Sequence, residues 1–258
     1  MRETTFKGKH ALVTGGAKGI GRCIAEHFLN SGASVTIIDI DKQAGQTLIK
    51  RHENLYFFHG DIAKQAVLEQ FVSELNTPVD VLVNNAYITQ AGILSACSYA
   101  EFEAVQRVCV TAPYYLTSLL LQNDLLIKGA SIVNIASTRS KQSQPDTESY
   151  SAAKGAIVSL SHALAVSLAG HARVNCISPG WIETADYHED VVKQEHTAED
   201  KAQHLVGRVG RCEDIANMVL YLCKEEAGFI NGETITIDGG MSRQMIYHGD
   251  NGWKLKQA

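Results

Sequence analysis

The sequence predicts an α/β fold of a single domain, residues 1–258, built on a doubly wound parallel sheet with helices on both faces. Short apolar runs typical of buried strands alternate with longer helical segments along the chain, and such alternation favours a parallel sheet between two layers of helices. A glycine-rich turn joins the first strand to the first helix, where such sheets often bind nucleotides. The length of 258 residues fits one such domain, and no linker or internal repeat divides it.

Each element is predicted from its local pattern. The strands are short apolar runs rich in Val, Ile and Leu, as expected of strands buried on both faces. They are residues 10–14, 34–39, 55–58, 79–83, 130–136, 173–177 and 234–237. The helices occupy the longer segments between the strands, where apolar and polar residues are mixed. They are residues 22–30, 42–52, 64–75, 99–126, 149–168 and 213–224.

The glycine turn indicates a dinucleotide site. Gly15, Gly19 and Gly21 follow the first strand directly and precede the first helix. Glycines let the backbone turn tightly and approach a pyrophosphate, while the helix N-terminus offers free N–H groups and a positive dipole end. Glycine turns are common in proteins, so the turn alone is a weak indication.

An acidic residue at the end of the second strand predicts the cofactor. Asp39 follows Gly21 at close to the ~20-residue spacing of the acid that binds an adenosine ribose. Its carboxylate accepts bonds from the ribose hydroxyls and repels a 2′-phosphate, which favours NAD over NADP. Lys18, in the turn, is either a partner for a 2′-phosphate or a solvated turn residue. We expect NAD because Asp39 has few other roles at its position.

Three residues suggest acid–base chemistry. Tyr150 and Lys154 are one helical turn apart, so they share a helix face. A neighbouring cation favours the phenolate and is expected to lower the tyrosine pKa. Ser137 closes a buried strand, and ligands bind at the carboxyl ends of such strands. The alternative for Tyr150 and Lys154 taken alone is a chance surface pair.

Together these residues resemble the short-chain dehydrogenase/reductase family, from about residue 9 to residue 241. Single motifs of this family are degenerate, but their joint order and spacing are specific. The matching segments are Thr14-Gly15-x-x-x-Gly19-x-Gly21, Asp61-Ile62, Asn84-Asn85-Ala86, Ser137 with Tyr150 and Lys154, and residues 173–184, 208–216 and 238–241.

The resemblance implies a Rossmann fold and hydride transfer between NAD(H) and a small secondary alcohol or ketone. It implies that Ser137, Tyr150 and Lys154 are catalytic and that the protein is a homo-oligomer, a tetramer or a dimer. The implied cofactor-binding residues are Gly15, Lys18, Gly19, Ile20, Gly21, Asp39, Asp61, Ile62, Asn85, Tyr150, Lys154, Pro179, Gly180, Ile182 and Thr184. The alternatives are an NADPH-dependent carbonyl reductase and a non-catalytic NAD(P)-binding regulatory protein.

Two positions depart from the family pattern. Cys109 stands where the family has an asparagine that holds a water of the proton relay, and a thiol is a weak hydrogen-bond partner. Thr111, or backbone carbonyls of a locally distorted helix, are alternative holders of that water. Tyr87 replaces a glycine near the cofactor ribose, and it either crowds the cofactor wall or shapes the substrate pocket.

Composition excludes several classes of protein. The net charge of −5 and the absence of a Lys/Arg cluster argue against a nucleic-acid surface. No run approaches the ~18 apolar residues of a membrane span, and the N-terminal residues carry no apolar signal core. We therefore expect no membrane association and a cytoplasmic location.

The six cysteines form no Cys-x-x-Cys pair, so we expect free thiols rather than disulfides or a metal site.

The remaining segments surround the expected site. Residues 184–207 are polar and long for a connection, so they are predicted to form a substrate lid, with a solvated helical pair as the alternative. Residues 242–258 are a C-terminal tail. Arg139 and Lys141 are either holders of a substrate carboxylate or phosphate, or solvated loop charges. His188, His196 and His204 lie in the polar segment and are interpreted as surface residues.

Overall fold

The structure, a computed structural model, describes residues 5–245, so most of the tail at 242–258 lies outside the described residues. The strands are β1 (His10–Thr14), β2 (Ser34–Asp39), β3 (Leu55–His59), β4 (Val79–Asn84), β5 (Leu126–Ile135), β6 (Ala172–Pro179), β7 (Ile182–Glu183), β8 (Gly210–Arg211) and β9 (Thr234–Ile237). The helices are α1 (Gly19–Asn30), α2 (Lys42–Ile49), α3 (Gln65–Glu74), α4 (Tyr99–Gln106), α5 (Ala112–Gln122), α6 (Glu148–Ser167), α7 (Ala198–Ala202) and α8 (Cys212–Leu222).

A seven-stranded parallel sheet organises the described part of the chain. Its order is β3-β2-β1-β4-β5-β6-β9, and β7 pairs with β8 in a small separate sheet. The chain first runs outward from β1 through β2 to β3 and then returns to start again at β4 on the other side of β1. The strand order therefore reverses between β1 and β4, which opens a crevice at the carboxyl ends of these strands. The predicted doubly wound parallel sheet is confirmed.

Helices cover both faces of the sheet because successive residues of each strand point to opposite sides. Val13 and Val83 pack into a core with α1, α2 and α8. Leu12 and Leu82, their neighbours in sequence, pack into a second core with α3, α4, α5 and α6. The continuous apolar runs that predicted the strands are thus explained by burial on both faces.

The predicted helix at residues 99–126 was too long and too regular. The helix contains a π-helical turn, Arg107–Thr111, and ends at Gln122, while Leu126 already belongs to β5. Pro113 follows the π turn and has no N–H to donate to the carbonyl of Cys109, so the regular α-helical bond is lost there. The two short strands β7 and β8 and the short helix α7 were not predicted, since two to five residues carry no periodic signal.

The glycine turn packs tightly against the first helix. Gly15 and Gly19 have positive φ angles of 62° and 56°, a region that side chains disfavour. A Cβ atom on Gly21 would overlap the carbonyl oxygen of Gly15. Asn85, just after β4, fixes this arrangement because its amide nitrogen donates to the carbonyls of Thr14 and Gly15 at 3.1 and 3.0 Å. The crevice between β1 and β4 is therefore held by a side chain as well as by the sheet.

We expect Asn85→Asp to destabilise the fold. The change keeps the shape of the side chain but places a carboxylate oxygen against two backbone carbonyls, which lose their donor. Unsatisfied buried groups cost about 1–3 kcal/mol, and about 2 kcal/mol corresponds to a fall in Tm of about 4–8 °C for a domain of this size. Thermal unfolding followed by circular dichroism measures the shift.

The matched control is Asn217→Asp, the same chemical change at an exposed position in α8. It is expected to leave Tm within about 2 °C, as exposed substitutions rarely exceed ~0.5 kcal/mol. Equal shifts in the two variants would show that the Asn85 amide does not brace the turn.

Candidate active site

The three predicted catalytic residues come from two adjacent elements of the fold. Ser137 follows the carboxyl end of β5, and its Oγ accepts the backbone N–H of Arg139 at 3.1 Å. Tyr150 and Lys154 lie one turn apart on α6, with Lys154 Nζ 5.4 Å from the centre of the Tyr150 ring. The structure therefore brings these three side chains together at the carboxyl edge of the sheet.

Lys154 is buried, with only 2% of its surface exposed. Its Nζ donates to the carbonyl of Ile135 at 2.8 Å and lies 5.4 Å from the centre of the Tyr87 ring as well as that of Tyr150. Aromatic faces attract a cation at this range. Burial lowers the pKa of Lys154 from its ordinary value because the ammonium is removed from water.

The pKa of Tyr150 is raised to about 12, chiefly because burial disfavours the phenolate. The Ser137 hydroxyl and the positive charge of Arg139 act in the opposite direction. The lowering of the tyrosine pKa that was expected from a neighbouring cation is therefore outweighed by burial of the phenol.

A buried polar chain fixes α6 against the sheet. The Asn84 amide donates to Asn134 Oδ1 at 2.8 Å, and the Asn134 amide donates to Ser161 Oγ at 2.9 Å. These bonds join β4, β5 and the helix that carries Tyr150 and Lys154. These hydrogen bonds could not be predicted from local sequence patterns, because their partners are distant in sequence.

A cavity of about 640 Å³ occupies the crevice between β1 and β4. Of the residues implied in cofactor binding, it is lined by Gly15, Lys18, Gly19, Ile20, Asp39, Asp61, Ile62, Asn85 and Thr184. Within residues 5–245, the remaining members of that set do not line it: Gly21, Tyr150, Lys154, Pro179, Gly180 and Ile182. Gly180 lines a neighbouring cavity instead. Sequence reasoning missed further lining residues, among them Ile40, Asp41 and His188, whereas Tyr87 was expected near the cofactor wall and does line the cavity.

This cavity fits a dinucleotide. The glycine turn presents backbone rather than side chains, and the N-terminus of α1 offers free N–H groups to phosphate. The carboxylate of Asp39 accepts the N–H groups of Ala17 and Asp41, each at 2.9 Å, with one bond to each oxygen. Each carboxylate oxygen can accept a further bond, so Asp39 can still receive sugar hydroxyls.

Lys18 is held by acidic residues. Its Nζ lies 2.9 Å from Asp41 Oδ2 and 3.4 Å from Asp190 Oδ1. The hydrogen bond with Asp41 raises the pKa of Lys18. The one lysine of the turn therefore already has two carboxylates as partners, and its charge is largely balanced within the protein.

Residues 184–207 lie against the cofactor cavity. Glu189 Oε1 lies 2.9 Å from guanidinium nitrogens of both Arg22 and Arg51. Thr184 and His188 line the cavity, with His188 close to Gly19. These ion pairs connect the segment to α1 and to the end of α2 across the mouth of the crevice.

The interpretation of all three histidines of this segment as surface residues was wrong. His204 is buried and His196 is half-buried, and both pack against Trp181, with ring centres 6.0 and 5.3 Å from that of the indole. His196 also lies 3.3 Å from Glu183. The tryptophan lies outside the polar segment, so the spacing of the histidines could not reveal this cluster.

A second cavity of about 650 Å³ lies beside Ser137. Most of its lining is polar. The lining residues are Ser137, Thr138, Arg139, Gln142, Ser143, Gln144, Gly180, Trp181, Gln203 and Met241. The loop after Ser137 supplies most of them, whereas Trp181 and Gln203 come from distant segments.

Both departures from the family pattern lie next to the predicted catalytic residues. The Tyr87 ring is 57% exposed and packs edge-on against Tyr150 at 5.9 Å. Cys109 is buried inside the π turn, with Sγ 3.9 Å from the carbonyl of Ile88. The local helix distortion considered from the sequence is thus present at this position.

Residues 5–245 contain neither a membrane-crossing helix nor a cluster of potential metal ligands. No helix in this range has the length and apolar character that crossing a membrane requires. The same residues contain no group of three or more His, Cys, Asp or Glu side chains arranged to hold a metal ion.

Comparison with known proteins identifies relatives over nearly the full chain. A family model described as "Enoyl-(Acyl carrier protein) reductase" matches residues 15–242. An uncharacterized oxidoreductase of Thermotoga maritima is 42% identical over 253 residues, covering 94% of this chain and 99% of that protein. The 3-oxoacyl-(acyl-carrier-protein) reductase FabG of Chlamydia pneumoniae is 31% identical, covering 93% and 99%.

Solved structures agree with these relatives. An apo SCOR enzyme from Clostridium thermocellum is 47% identical with a TM-score of 0.88, covering 97% of this chain and 100% of that chain. A short-chain dehydrogenase/reductase from Brucella melitensis, described as glucose/ribitol dehydrogenase, is 31% identical with a TM-score of 0.83, covering 93% and 98%. On the breadth and identity of these matches, the chain belongs to the short-chain dehydrogenase/reductase family of oxidoreductases.

Proposed function

We propose that the protein catalyses reversible hydride transfer between NAD(H) and a secondary alcohol or ketone. The observation that carries the proposal is the cluster of Ser137, Tyr150 and buried Lys154, which meets one cavity through Ser137 and another through the contact of Tyr150 with Tyr87. Tyr150 packs against Tyr87, which lines the dinucleotide-sized cavity, while Ser137 lines the second. A phenol between a cofactor site and a substrate site is positioned for general acid–base catalysis.

In the oxidation direction Tyr150, as phenolate, removes the proton of the substrate hydroxyl, and Ser137 hydrogen-bonds the same oxygen to hold it. Lys154 stabilises the phenolate by its charge. When bound, the nicotinamide supplies the hydride acceptor and a further positive charge near the phenol. That charge is important here because the pKa of Tyr150 is raised to about 12, chiefly by burial of the phenol. In reduction, Tyr150 returns the proton to the carbonyl oxygen.

The charge distribution of the cavity supports NAD over NADP. Asp39 lines the cavity at the end of β2 and has no cationic partner among the ion pairs of residues 5–245. Lys18, the cation of the turn, is paired with Asp41 and Asp190. A 2′-phosphate would meet the Asp39 carboxylate and would have to draw Lys18 away from its partners.

The π turn offers a route for protons that does not need the family asparagine. Since Pro113 has no N–H, the carbonyl of Cys109 lacks its regular α-helical donor. Such a carbonyl can bind water, and Cys109 lies within electrostatic range of Lys154. We infer that backbone carbonyls of this turn hold the relay water.

Three further features remain proposals. We infer that residues 184–207 act as a lid, supported by the ion pairs of Glu189 and by Gln203 in the second cavity. Exposed apolar side chains on α4, α5 and α6 (Tyr99, Tyr114 and Val166) support a homo-oligomer formed through these helices. The cytoplasmic location stays a prediction from the sequence.

A second candidate substrate class is the 3-oxoacyl thioester, which the names of the FabG relatives suggest. The lining of the second cavity does not favour it. Most of its lining residues carry hydroxyl, amide or guanidinium groups, with Trp181 and Met241 as the larger apolar contributions. A long acyl chain prefers apolar walls, so a smaller, hydrophilic substrate fits better.

The first prediction concerns the cofactor. NAD is expected to exceed NADP in kcat/KM by about 100-fold or more, equivalent to about 2.7 kcal/mol of unfavourable carboxylate–phosphate interaction. Asp39→Asn should narrow the ratio at least tenfold, while Glu53→Gln, an exposed acid far from the cavity, should not. Steady-state kinetics with both cofactors measures these ratios. If kcat/KM were equal for the two cofactors, and Lys18→Ala removed the activity with NADP, Lys18 rather than Asp39 would determine the cofactor preference.

The second prediction concerns the phenol. Tyr150→Phe should reduce kcat about 10²–10⁴-fold and leave NADH affinity, measured by fluorescence titration, within about threefold, because only the acid–base hydroxyl is removed. Lys154→Ala should lower both kcat and the affinity for NADH. Tyr99→Phe, the same change at a side chain that is 85% exposed, serves as control. A Tyr150→Phe enzyme that keeps more than a tenth of the rate would contradict this role.

The third prediction concerns Cys109. Cys109→Asn is expected to change kcat by less than about tenfold, a span of ~1.4 kcal/mol in barrier, because the backbone already holds the relay. Cys109→Ala should behave alike, since the thiol itself is not used. If kcat instead rose several hundredfold in Cys109→Asn, the unsubstituted protein would lack a working proton relay. That result would favour a binding role over catalysis.

A further inference from the structure

The second cavity, beside Ser137, is lined by one charged side chain. Of its lining residues among 5–245, Arg139 alone is charged, and no carboxylate belongs to the lining. The other polar lining groups are neutral hydroxyls and amides. A buried or half-buried charge is normally paired, so a lone guanidinium in a cavity of about 650 Å³ requires an explanation.

Arg139 is held in place by neutral groups. Its two terminal nitrogens donate to Thr147 Oγ1, at 3.3 Å, and to Gln144 Oε1. Within residues 5–245 it forms no ion pair with a carboxylate, whereas Lys18 and Arg22 each have an acidic partner. A guanidinium has five N–H donors, so donors remain after these two bonds. The side chain is oriented without being neutralised.

The acids nearest in sequence are engaged elsewhere. Asp146 accepts the backbone N–H groups of Leu94 and Ser95 at 2.8 and 3.1 Å. Glu148 accepts the N–H of Ile93 at 3.1 Å. Both carboxylates therefore fix the loop after β4 and leave the positive charge of Arg139 unbalanced.

Arg139 is also tied to the reacting groups. Its backbone N–H donates to Ser137 Oγ, and its guanidinium is bonded to Thr147, three residues before Tyr150. The charge of Arg139 acts to lower the pKa of Tyr150, so the guanidinium lies within electrostatic range of the phenol. An anion bound to Arg139 would thus place its neighbouring carbon atoms beside Ser137 and Tyr150.

We propose that Arg139 binds the carboxylate of the substrate, and that the substrate is a small hydrophilic hydroxy acid, or the corresponding oxo acid. The proposal rests on the proposed function, because it names the substrate class of that same site. Carboxylates match the planar fork of a guanidinium with two parallel hydrogen bonds. Because Ser137 and Arg139 line the same cavity, a substrate with its carboxylate on Arg139 can present a nearby hydroxyl or carbonyl carbon to Ser137, and the amide groups of the lining suit further hydroxyl groups.

The test compares acids with matched neutral compounds. Acetoacetate, α-ketobutyrate and levulinate are each assayed with NADH beside their methyl esters, and gluconate is assayed with NAD beside sorbitol. At least one acid is expected to exceed its neutral partner in kcat/KM by tenfold or more. Arg139→Gln should reduce kcat/KM for that acid by about 10–150-fold, the range for a lost charged hydrogen bond, and change the neutral compound less than threefold.

Two variants keep the test decisive. Lys141→Gln removes an exposed cation two residues away that does not line the cavity, and should leave the acid preference intact. Arg139→Lys keeps the positive charge but loses the planar guanidinium, so its preference for the acid over the neutral compound should be intermediate. This variant replaces Arg139→Gln if Arg139→Gln does not fold. NADH affinity should be unchanged in all three variants.

The failures are distinguishable. Neutral compounds used as well as acids, or an acid preference that survives Arg139→Gln, would overturn the carboxylate site and leave the oxidoreductase function standing. If neither acids nor neutral compounds are turned over while NADH binds, the proposed function fails and the substrate class fails with it.

Discussion

The close approach between the glycine turn and the first helix is the constraint on which the site depends. The absence of a side chain at Gly21 lets the helix N-terminus reach the carbonyl of Gly15, and Asn85 then bridges the turn to the next strand of the sheet. Thr14 Oγ1 accepts the N–H groups of Asn85 and Ala86, at 3.0 and 3.1 Å, which closes the connection from the other side. These contacts set the width of the crevice, and the remaining site residues are arranged around its rim.

Burial acts on both Lys154 and the neighbouring phenol. The ammonium is kept close to Tyr150 by the Ile135 carbonyl and by the geometry of one helical turn. Burial lowers the pKa of the lysine, and burial of the phenol itself raises the pKa of Tyr150, so both groups are shifted towards their neutral forms. A site of this kind depends on charge brought by its ligands, which couples proton transfer to binding.

The sequence predicted what is local and missed what is brought together by folding. Strands buried on both faces are continuous apolar runs, and the pairing of Tyr150 with Lys154 follows from helical spacing, so both were readable. Helix ends and irregularities were harder to predict. The π turn follows from the missing N–H of Pro113, but that single signal lies within a long helical pattern. The contacts around Trp181 and the partners of Glu189 join segments far apart in the chain, for which single-sequence patterns carry no signal.

The two backbone hydrogen bonds of Asp39 have a consequence for redesign. Its carboxylate connects the glycine turn, through Ala17, to the start of α2, through Asp41. Exchange of this residue for a smaller one to admit a phosphorylated ribose would therefore loosen the loop that must cradle the pyrophosphate. With the role proposed for Asp39, cofactor recognition and loop rigidity depend on the same side chain, so an engineered change of specificity would need a second substitution that restores acceptors for these two N–H groups.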